Sequence, residues 1–244
     1  MSPVPLVCLP FAGAGSSFFH SWQGRDTDGI EVIAPQLPGR ERRIAEEPFS
    51  DVAGATEWLA QDVLRQLGGA GPVLLFGHSL GAVLAYELAR RLVPTPGVDV
   101  VHLLVSGSPG PATARTRTAT GLPDDEFLRR VQEFAGYSHT ALEDPEMREL
   151  ILPTLRADVQ MHETYRPDTL DPLAVPITSI RGRDDSLVAA AEADEWAAVT
   201  SGDFHRIEVD GGHMYLVTDA GAVVRAARTA AAAWSAGREP ARGR

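Results

Sequence analysis

Short, largely apolar runs alternate along the chain with longer segments of helical spacing. The apolar runs are typical of strands buried on both faces of a sheet, and they cover residues 4–9, 30–34, 71–76, 98–106, 175–180 and 204–209. Helical spacing covers residues 16–23, 51–67, 82–92, 189–199 and 219–234, and Ser50 is placed to cap the second of these helices. Strands that alternate with helices predict a mostly parallel sheet flanked by helices, which is an α/β fold.

The alternation stops between residues 111 and 166, where no strand is predicted. Helical patterns at residues 124–134 and 145–165 occupy this interval instead. We interpret residues 111–170 as a helical lid inserted into a single domain that spans residues 1–244. Residues 235–244 follow an alanine-rich helix and are expected to form a disordered tail.

A Gly-x-Ser-x-Gly pattern lies between a predicted strand and a predicted helix, at Gly77-His78-Ser79-Leu80-Gly81. In this pattern a serine occupies a strained strand-to-helix corner, and the helix N-terminus beneath it favours developing negative charge. Glycine is expected at both ends because side chains there would collide with the neighbouring strand and helix. The same residues also fit a plain glycine-rich turn, so a nucleophilic Ser79 requires a base, an acid and an oxyanion hole elsewhere.

The carboxyl ends of the other predicted strands supply a base and an acid. Because parallel strands all end at the same edge of a sheet, residues that follow different strands meet there. His213 follows the last strand and is the candidate base. Asp184 and Asp185 follow the strand before it, and we choose Asp185 because its spacing puts it at the bend of the loop. The order Ser79, Asp185, His213 is that of the α/β-hydrolase fold.

The loop after the first strand is the candidate oxyanion hole. It consists of small residues that let backbone N–H groups face a ligand. We choose the amide of Ala12, with that of Phe11 as the alternative, and the amide of Leu80 as the second donor.

Composition narrows the chemistry further. All 22 basic residues are Arg and the formal net charge is −11, which argues against nucleic-acid binding and against lysine-dependent catalysis. The seven His and one Cys show no paired spacing that would support a metal site. Cys8 alone excludes an internal disulfide, and we find no signal peptide or apolar run long enough to span a bilayer. A cytoplasmic protein is therefore expected.

Five groups of residues carry a resemblance to a known family. They are Cys8-Leu9-Pro10-Phe11-Ala12-Gly13, Leu37-Pro38-Gly39-Arg40-Glu41, Gly77-His78-Ser79-Leu80-Gly81, Leu152-Pro153-Thr154-Leu155-Arg156-Ala157-Asp158 with Glu163-Thr164-Tyr165, and Gly211-Gly212-His213. Together they resemble the type II thioesterases, free-standing editing hydrolases associated with polyketide and nonribosomal peptide synthases. The chain departs from the family in having Ala14 where a second glycine is common, and in a bulky lid segment at residues 136–140.

The resemblance implies hydrolysis of acyl groups from the phosphopantetheine arm of acyl or peptidyl carrier proteins, which clears stalled or misprimed chains. It also implies a mobile lid that shapes an acyl tunnel. Phe11 and the lid residues His139, Met161 and Tyr165 are the candidate substrate-binding residues. We expect a carrier protein as partner, a monomer, and no metal, cofactor, nucleic acid or membrane.

Two other functions and one charged loop stay open at this point. A small-molecule carboxylesterase would use the same triad, whereas a non-catalytic binding protein of this fold is disfavoured because all three triad residues are present. The arginines of residues 40–43 either form a solvated loop or contact an acidic carrier protein or its phosphate.

Overall fold

The computed structural model describes residues 2–23, 28–135, 142 and 144–237. The strands of this part of the chain are β1 (Val4–Leu9), β2 (Ile30–Ile33), β3 (Gly71–His78), β4 (Val98–Ser106), β5 (Ile177–Gly182) and β6 (Phe204–Val209). They form one sheet in the order β2-β1-β3-β4-β5-β6, and every neighbouring pair is parallel. The predicted α/β fold is therefore confirmed, and all six strands end at the same edge.

Helices cover both faces of this sheet. They are α1 (Val52–Gln66), α2 (Leu80–Leu92), α3 (Asp124–Ala135), α4 (Pro145–Thr164), α5 (Ala190–Asp194) and α6 (Gly221–Gly237), with 3-10 turns at Ser16–Trp22, Glu41–Arg43, Glu195–Val199 and Tyr215–Val217. No helix within the described residues has the length and apolar character needed to cross a bilayer.

The core lies in two layers, one on each face of the sheet. On β3, Val73 and Leu75 pack with the apolar faces of α1 and α2. The alternate residues, Leu74 and Phe76, pack on the other face with α6 and with the aromatic side chains of the first 3-10 turn. Burial on both faces explains why this strand has a continuous apolar run instead of an alternating pattern.

The chain between β4 and β5 contains α3 and α4 and, among its described residues, no strand, as predicted. These helices have a small apolar cluster of their own, formed by Ala119, Phe127, Leu155 and Val159. The last turns of α4 also reach the main core through Met161 and Tyr165. α4 is thereby attached to the main core, where it packs next to α2.

Several predicted boundaries differ from those in the structure. The fifth strand begins and ends two residues later than predicted, because its pairing with β6 continues to Gly182 opposite Val209. The predicted helix over residues 189–199 divides into α5 and a 3-10 turn. The last helix continues to Gly237, so residues 235–237 are helical, and the rest of the predicted tail lies outside the described residues.

The cap of α1 also differs from the prediction. The helix begins at Val52, so the residue before it is Asp51 and not Ser50. The Asp51 carboxylate accepts a hydrogen bond of 2.8 Å from the backbone N–H of Gly54. Such a bond satisfies one of the N–H groups that a helix leaves unpaired at its start.

We expect Asp51→Ala to lower the free energy of unfolding by about 1 kcal/mol, because the cap is lost. Ser50→Ala is the matched control and is expected to change it by less than about 0.5 kcal/mol. Urea unfolding followed by circular dichroism measures both. Equal effects of the two substitutions would contradict the assignment of the cap to Asp51.

Candidate active site

Ser79 occupies the corner between β3 and α2 in a strained backbone conformation. Its φ is +55° and its ψ is −115°, a region that residues with side chains rarely adopt. The corner is tied to the sheet by a 2.8 Å hydrogen bond from the Ser79 N–H to the carbonyl of Ser106, at the end of β4. Its side chain lines a cavity at the carboxyl edge of the sheet.

The two glycines that flank this corner permit close approach of three backbone segments. A Cβ at Gly77 would lie 1.8 Å from the carbonyl oxygen of Gly81, in the first turn of α2. A Cβ at Gly81 would lie 2.2 Å from the carbonyl oxygen of Leu9, at the end of β1. Both distances are too short for any side chain. A residue other than glycine would therefore collide with the helix at Gly77 and with the strand at Gly81, as the sequence predicts.

His213 and Asp185 come together from the loops after β6 and β5. The His213 Nδ1 lies 2.9 Å from Asp185 Oδ2, and both side chains are buried. The other carboxylate oxygen of Asp185 accepts hydrogen bonds of 2.8 Å from the N–H of Leu187 and 3.2 Å from that of Val188. Asp184 is exposed to solvent, and its backbone N–H bonds to Gly211.

The environment keeps the Asp185 carboxyl ionised. Burial alone raises its pKa, but the hydrogen bond and charge of His213, together with the two backbone N–H groups, outweigh burial, and the pKa lies below the usual value. A charged carboxylate at Nδ1 holds the ring with its other nitrogen, Nε2, available to a reacting group.

Ser79 and His213 line one cavity of about 360 Å³, together with Phe11 and Ala12. A serine hydroxyl and a histidine held by a carboxylate in one cavity can perform nucleophilic catalysis. Among the described residues, no group of three or more His, Cys, Asp or Glu side chains is arranged to hold a metal ion.

The loop after β1 offers few free amides for an oxyanion. The N–H of Gly13 donates to Asp158 at 2.8 Å, and that of Ala14 donates to the carbonyl of Phe11 at 3.1 Å. These bonds remove two of the four amides between residues 11 and 14 from consideration. The amides of Ala12 and Phe11 remain, which are the two that the sequence analysis selects, and Leu80 is the first residue of α2.

A buried chain of polar groups lies beneath His213, and sequence reasoning did not find it. The Nδ1 of His78 lies 2.9 Å from the hydroxyl of Ser106, which lies 2.6 Å from that of Tyr215. Burial is the main cause that sets the pKa of His78 well below its usual value, and the neighbouring His213 lowers it further. His78 therefore stays neutral. The centroid of its ring lies 5.0 Å from that of His213, so His78 adds no positive charge next to His213.

The candidate substrate-binding residues divide into three groups. Phe11 lines the cavity, as expected. Met161 and Tyr165 instead pack in the main core, where the Tyr165 hydroxyl donates a 2.6 Å hydrogen bond to Glu87, so the structure does not place them on the cavity. His139 lies outside the described residues.

His162 lines the cavity in place of its neighbour Met161. One residue along a helix turns the side chain by about 100°, and the sequence does not say which side of α4 faces the cavity. Polar and apolar residues alternate at this end of α4, and this alternation does not define one face of a helix.

The Arg40 side chain is buried and forms an ion pair with Asp158, which we call the Arg40–Asp158 tether. Its guanidinium binds both carboxylate oxygens of Asp158 at 2.8 Å and the carbonyl of Ala14 at 2.9 Å. The exposed fractions of Arg40 and Asp158 are 6% and 0%. The interpretation of this arginine as part of a solvated or partner-facing loop is therefore wrong. Arg42 is exposed, whereas Arg43 pairs with Glu46.

This tether connects α4 to the loop after β1. Asp158 lies on α4, and the same oxygen that receives Arg40 also receives the N–H of Gly13. The lid helix and the candidate oxyanion loop are thus held by one carboxylate.

A second, apolar cavity of about 590 Å³ lies between α4 and the loop after β1. It shares Phe11, Ala12, Val131 and Met214 with the cavity that holds Ser79. Four large apolar side chains that are exposed to solvent line it, namely Ile44, Met147, Leu150 and Val217. Space for an extended substrate therefore exists on both sides of the Phe11–Ala12 segment.

The chain is similar in sequence to a known protein family and to members of it. A family model described as a thioesterase domain matches residues 4–230. The gramicidin S biosynthesis protein GrsT of Aneurinibacillus migulanus is 34% identical over 212 residues, which are 86% of this chain and 82% of that protein.

Solved structures match over almost the whole chain. RedJ, a thioesterase from the prodiginine biosynthetic pathway in Streptomyces coelicolor, has a TM-score of 0.85 and 31% identity, covering 94% of this chain and 91% of that one. BorB, a type II thioesterase from the borrelidin biosynthetic cluster, has a TM-score of 0.77 and 34% identity with the same coverage of 94% and 91%.

We expect Asp185→Asn to slow covalent labelling of Ser79 by a fluorophosphonate by roughly 10³- to 10⁴-fold, because the neutral amide no longer holds the His213 tautomer or its positive charge. Asp184→Asn, which changes the adjacent exposed carboxylate in the same way, is the matched control and should leave the rate unchanged. Stopped-flow or gel-based labelling measures the rates. If only the Asp184 variant lost labelling, Asp184 and not Asp185 would be the carboxylate that orients His213.

We expect Arg40→Met to lower the free energy of unfolding by about 3–5 kcal/mol, because it leaves the Asp158 carboxylate buried without its cation. The double variant Arg40→Met/Asp158→Leu should recover much of this loss, since no charge is left buried. Arg65→Met, which breaks an exposed pair with Asp62, is the control and should cost less than about 1 kcal/mol. Additive losses in the double variant, measured by urea unfolding, would contradict a direct ion pair.

Proposed function

The chain belongs to the thioesterase family of α/β-hydrolases, and we propose that it hydrolyses acyl thioesters on the phosphopantetheine arm of acyl or peptidyl carrier proteins. Its role would be that of a type II thioesterase, which removes stalled or misprimed chains during polyketide or nonribosomal peptide synthesis. The family match over residues 4–230 and the description of BorB as a type II thioesterase support this proposal.

The reaction would begin at Ser79. Its hydroxyl oxygen attacks the carbonyl carbon of the thioester while His213 Nε2 takes the hydroxyl proton. The carbonyl oxygen becomes an oxyanion, which receives hydrogen bonds from the amides of Leu80 and Ala12. The carbon–sulfur bond then breaks, and the proton on His213 passes to the departing pantetheine sulfur.

Water completes the cycle by the same route. His213 takes a proton from water, whose oxygen attacks the acyl-serine carbonyl. The ester bond to Ser79 breaks, and His213 returns the proton to the serine oxygen, which leaves a free carboxylic acid. Asp185 stays ionised throughout and stabilises the two imidazolium states, which agrees with its lowered pKa.

The observation that carries this proposal is the 2.9 Å contact between His213 and Asp185, in the cavity that the strained Ser79 also lines. The two cavities that meet at Phe11 and Ala12 give the reasons to favour a long substrate. A thioester carried on an extended arm needs room on both sides of the carbonyl carbon, one side for the acyl chain and one for the pantetheine.

The setting of the reaction follows from the same proposal. A carrier protein is the partner, and the enzyme acts as a monomer in the cytoplasm. The one cysteine, Cys8, is buried as a free thiol, which suits a reducing compartment.

We expect Ser79→Ala to reduce hydrolysis of hexanoyl carrier protein by about 10⁴-fold or more, because the nucleophile is lost. For each substrate, kcat/KM is divided by the rate of its uncatalysed hydrolysis in water. The wild-type enzyme should give a higher ratio for this thioester than for ethyl hexanoate. Release of the free thiol and of the acid is measured by spectrophotometry and chromatography.

Each other outcome identifies a different function. A preference for the oxygen ester would indicate a carboxylesterase. Near-full activity of the Ser79 variant would exclude the serine mechanism. Failure of the folded wild-type protein both to hydrolyse thioesters and to react with a fluorophosphonate would indicate a binding protein of this fold.

A further inference from the structure

The cavity beside Ser79 contains a guanidinium that the mechanism above does not use. Arg115 lies in the chain between β4 and α3, and it lines the same cavity as Ser79 and His213. Its side chain is largely withdrawn from solvent, and burial lowers its pKa to about 10, so it still carries its charge at neutral pH.

The partners of Arg115 among the described residues are all neutral. Its Nε donates to His162 Nε2 at 3.2 Å, one terminal nitrogen donates to the carbonyl of Thr113 at 2.6 Å, and the other donates to the Ser108 hydroxyl at 3.3 Å. Burial sets the pKa of His162 well below its usual value, so this acceptor stays uncharged. A buried cation without a paired anion is unfavourable in itself.

The carboxylates that line the cavity are already engaged elsewhere. Both oxygens of Glu163 accept backbone N–H groups, from Ala119 at 2.6 Å and from Thr120 at 3.0 Å. Glu192 accepts the N–H of Ala189 at 2.7 Å. Burial lowers the pKa of Arg115 by more than the charges of Glu192 and Glu195 raise it. No described carboxylate forms an ion pair with Arg115.

The geometry of the guanidinium leaves two donors for a ligand. Of its five N–H groups, three have the partners given above, so one N–H remains on each terminal nitrogen. One donor on each terminal nitrogen of the same planar group can bind two oxygens of one carboxylate or of one phosphate. The neutral partners hold the plane of the group in place, which reduces the entropy lost when an anion binds.

We propose that Arg115 binds an oxyanion of the substrate and so determines specificity. The oxyanion is either a carboxylate at the far end of the acyl chain or the phosphate of the pantetheine arm. The proposal rests on the thioesterase function proposed above, and it adds the residue that recognises an anionic group of the substrate. Arg115 takes no part in bond making or breaking.

Four substrates separate the two sources of the oxyanion. Hexanoyl and adipyl groups have the same number of carbons, but only adipyl ends in a carboxylate. Each is presented on N-acetylcysteamine, which has no phosphate, and on phosphopantetheine, which has one. The wild-type enzyme is compared with Arg115→Gln by kcat/KM, and thermal unfolding of both proteins checks that the variant folds.

If the acyl carboxylate is the ligand, Arg115→Gln lowers kcat/KM for both adipyl thioesters by roughly 10- to 100-fold and changes that for hexanoyl thioesters by less than about 3-fold. If the phosphate is the ligand, the loss appears for both acyl groups on phosphopantetheine and for neither on N-acetylcysteamine. Arg115→Lys should keep part of the preference in either case, because the charge remains without the fork.

Arg117→Gln is the matched control. Arg117 lines the same cavity but is exposed to solvent, so its loss should change all four values by less than about 3-fold. An effect equal to that of Arg115→Gln would overturn the assignment to one residue and indicate a general electrostatic attraction.

Two further outcomes would overturn the proposal. A proportional loss for all four substrates would show that Arg115 only supports its loop through Ser108, Thr113 and His162. Unchanged values for all four would show that it contacts no part of the substrate. If the wild-type enzyme hydrolysed none of the four, the thioesterase function itself would fall, which distinguishes that failure from the failure of Arg115 to discriminate.

Discussion

The close contact of three backbone segments at the Ser79 corner is the constraint on which the candidate site depends. A Cβ at Gly77 would meet the first turn of α2 at 1.8 Å, and one at Gly81 would meet the end of β1 at 2.2 Å. The N-terminus of α2 can therefore rest directly on the last residue of β1. This contact places the start of α2 against the end of β1, so one steric condition brings the Ser79 corner next to the candidate oxyanion loop.

The lid is joined to that same loop by a buried ion pair. Asp158 on α4 binds Arg40 through two 2.8 Å contacts and also receives the N–H of Gly13. A buried pair of this kind adds little net stability but is costly to break, which suits a fixed attachment. Val159, His162 and Glu163 follow Asp158 on α4 and line the cavity that Ser79 also lines, so the position of this wall of the cavity depends on the attachment at Asp158.

The surroundings of His213 keep two neighbouring histidines neutral and the Asp185 carboxylate ionised. His78 and His162 are held neutral by burial and by the positive charges around them, and Asp185 is held negative against burial by four favourable interactions. Neutral neighbours can donate and accept hydrogen bonds without competing for the proton. Arg115 is the exception, since it stays charged in a cavity where its described partners are neutral.

The sequence by itself determined the strands, the parallel sheet and the edge at which Ser79, Asp185 and His213 lie. Apolar runs report burial on two faces, and the rule that parallel strands end together brings distant residues to one edge without knowledge of their packing. Only the tertiary structure decided that Arg40 turns inward to Asp158, 118 residues away, that Asp51 and not Ser50 caps α1, and that His162 instead of Met161 faces the cavity. The partner of a long side chain and the rotation of a helix about its axis depend on the shapes packed against them, which local periodicity does not encode.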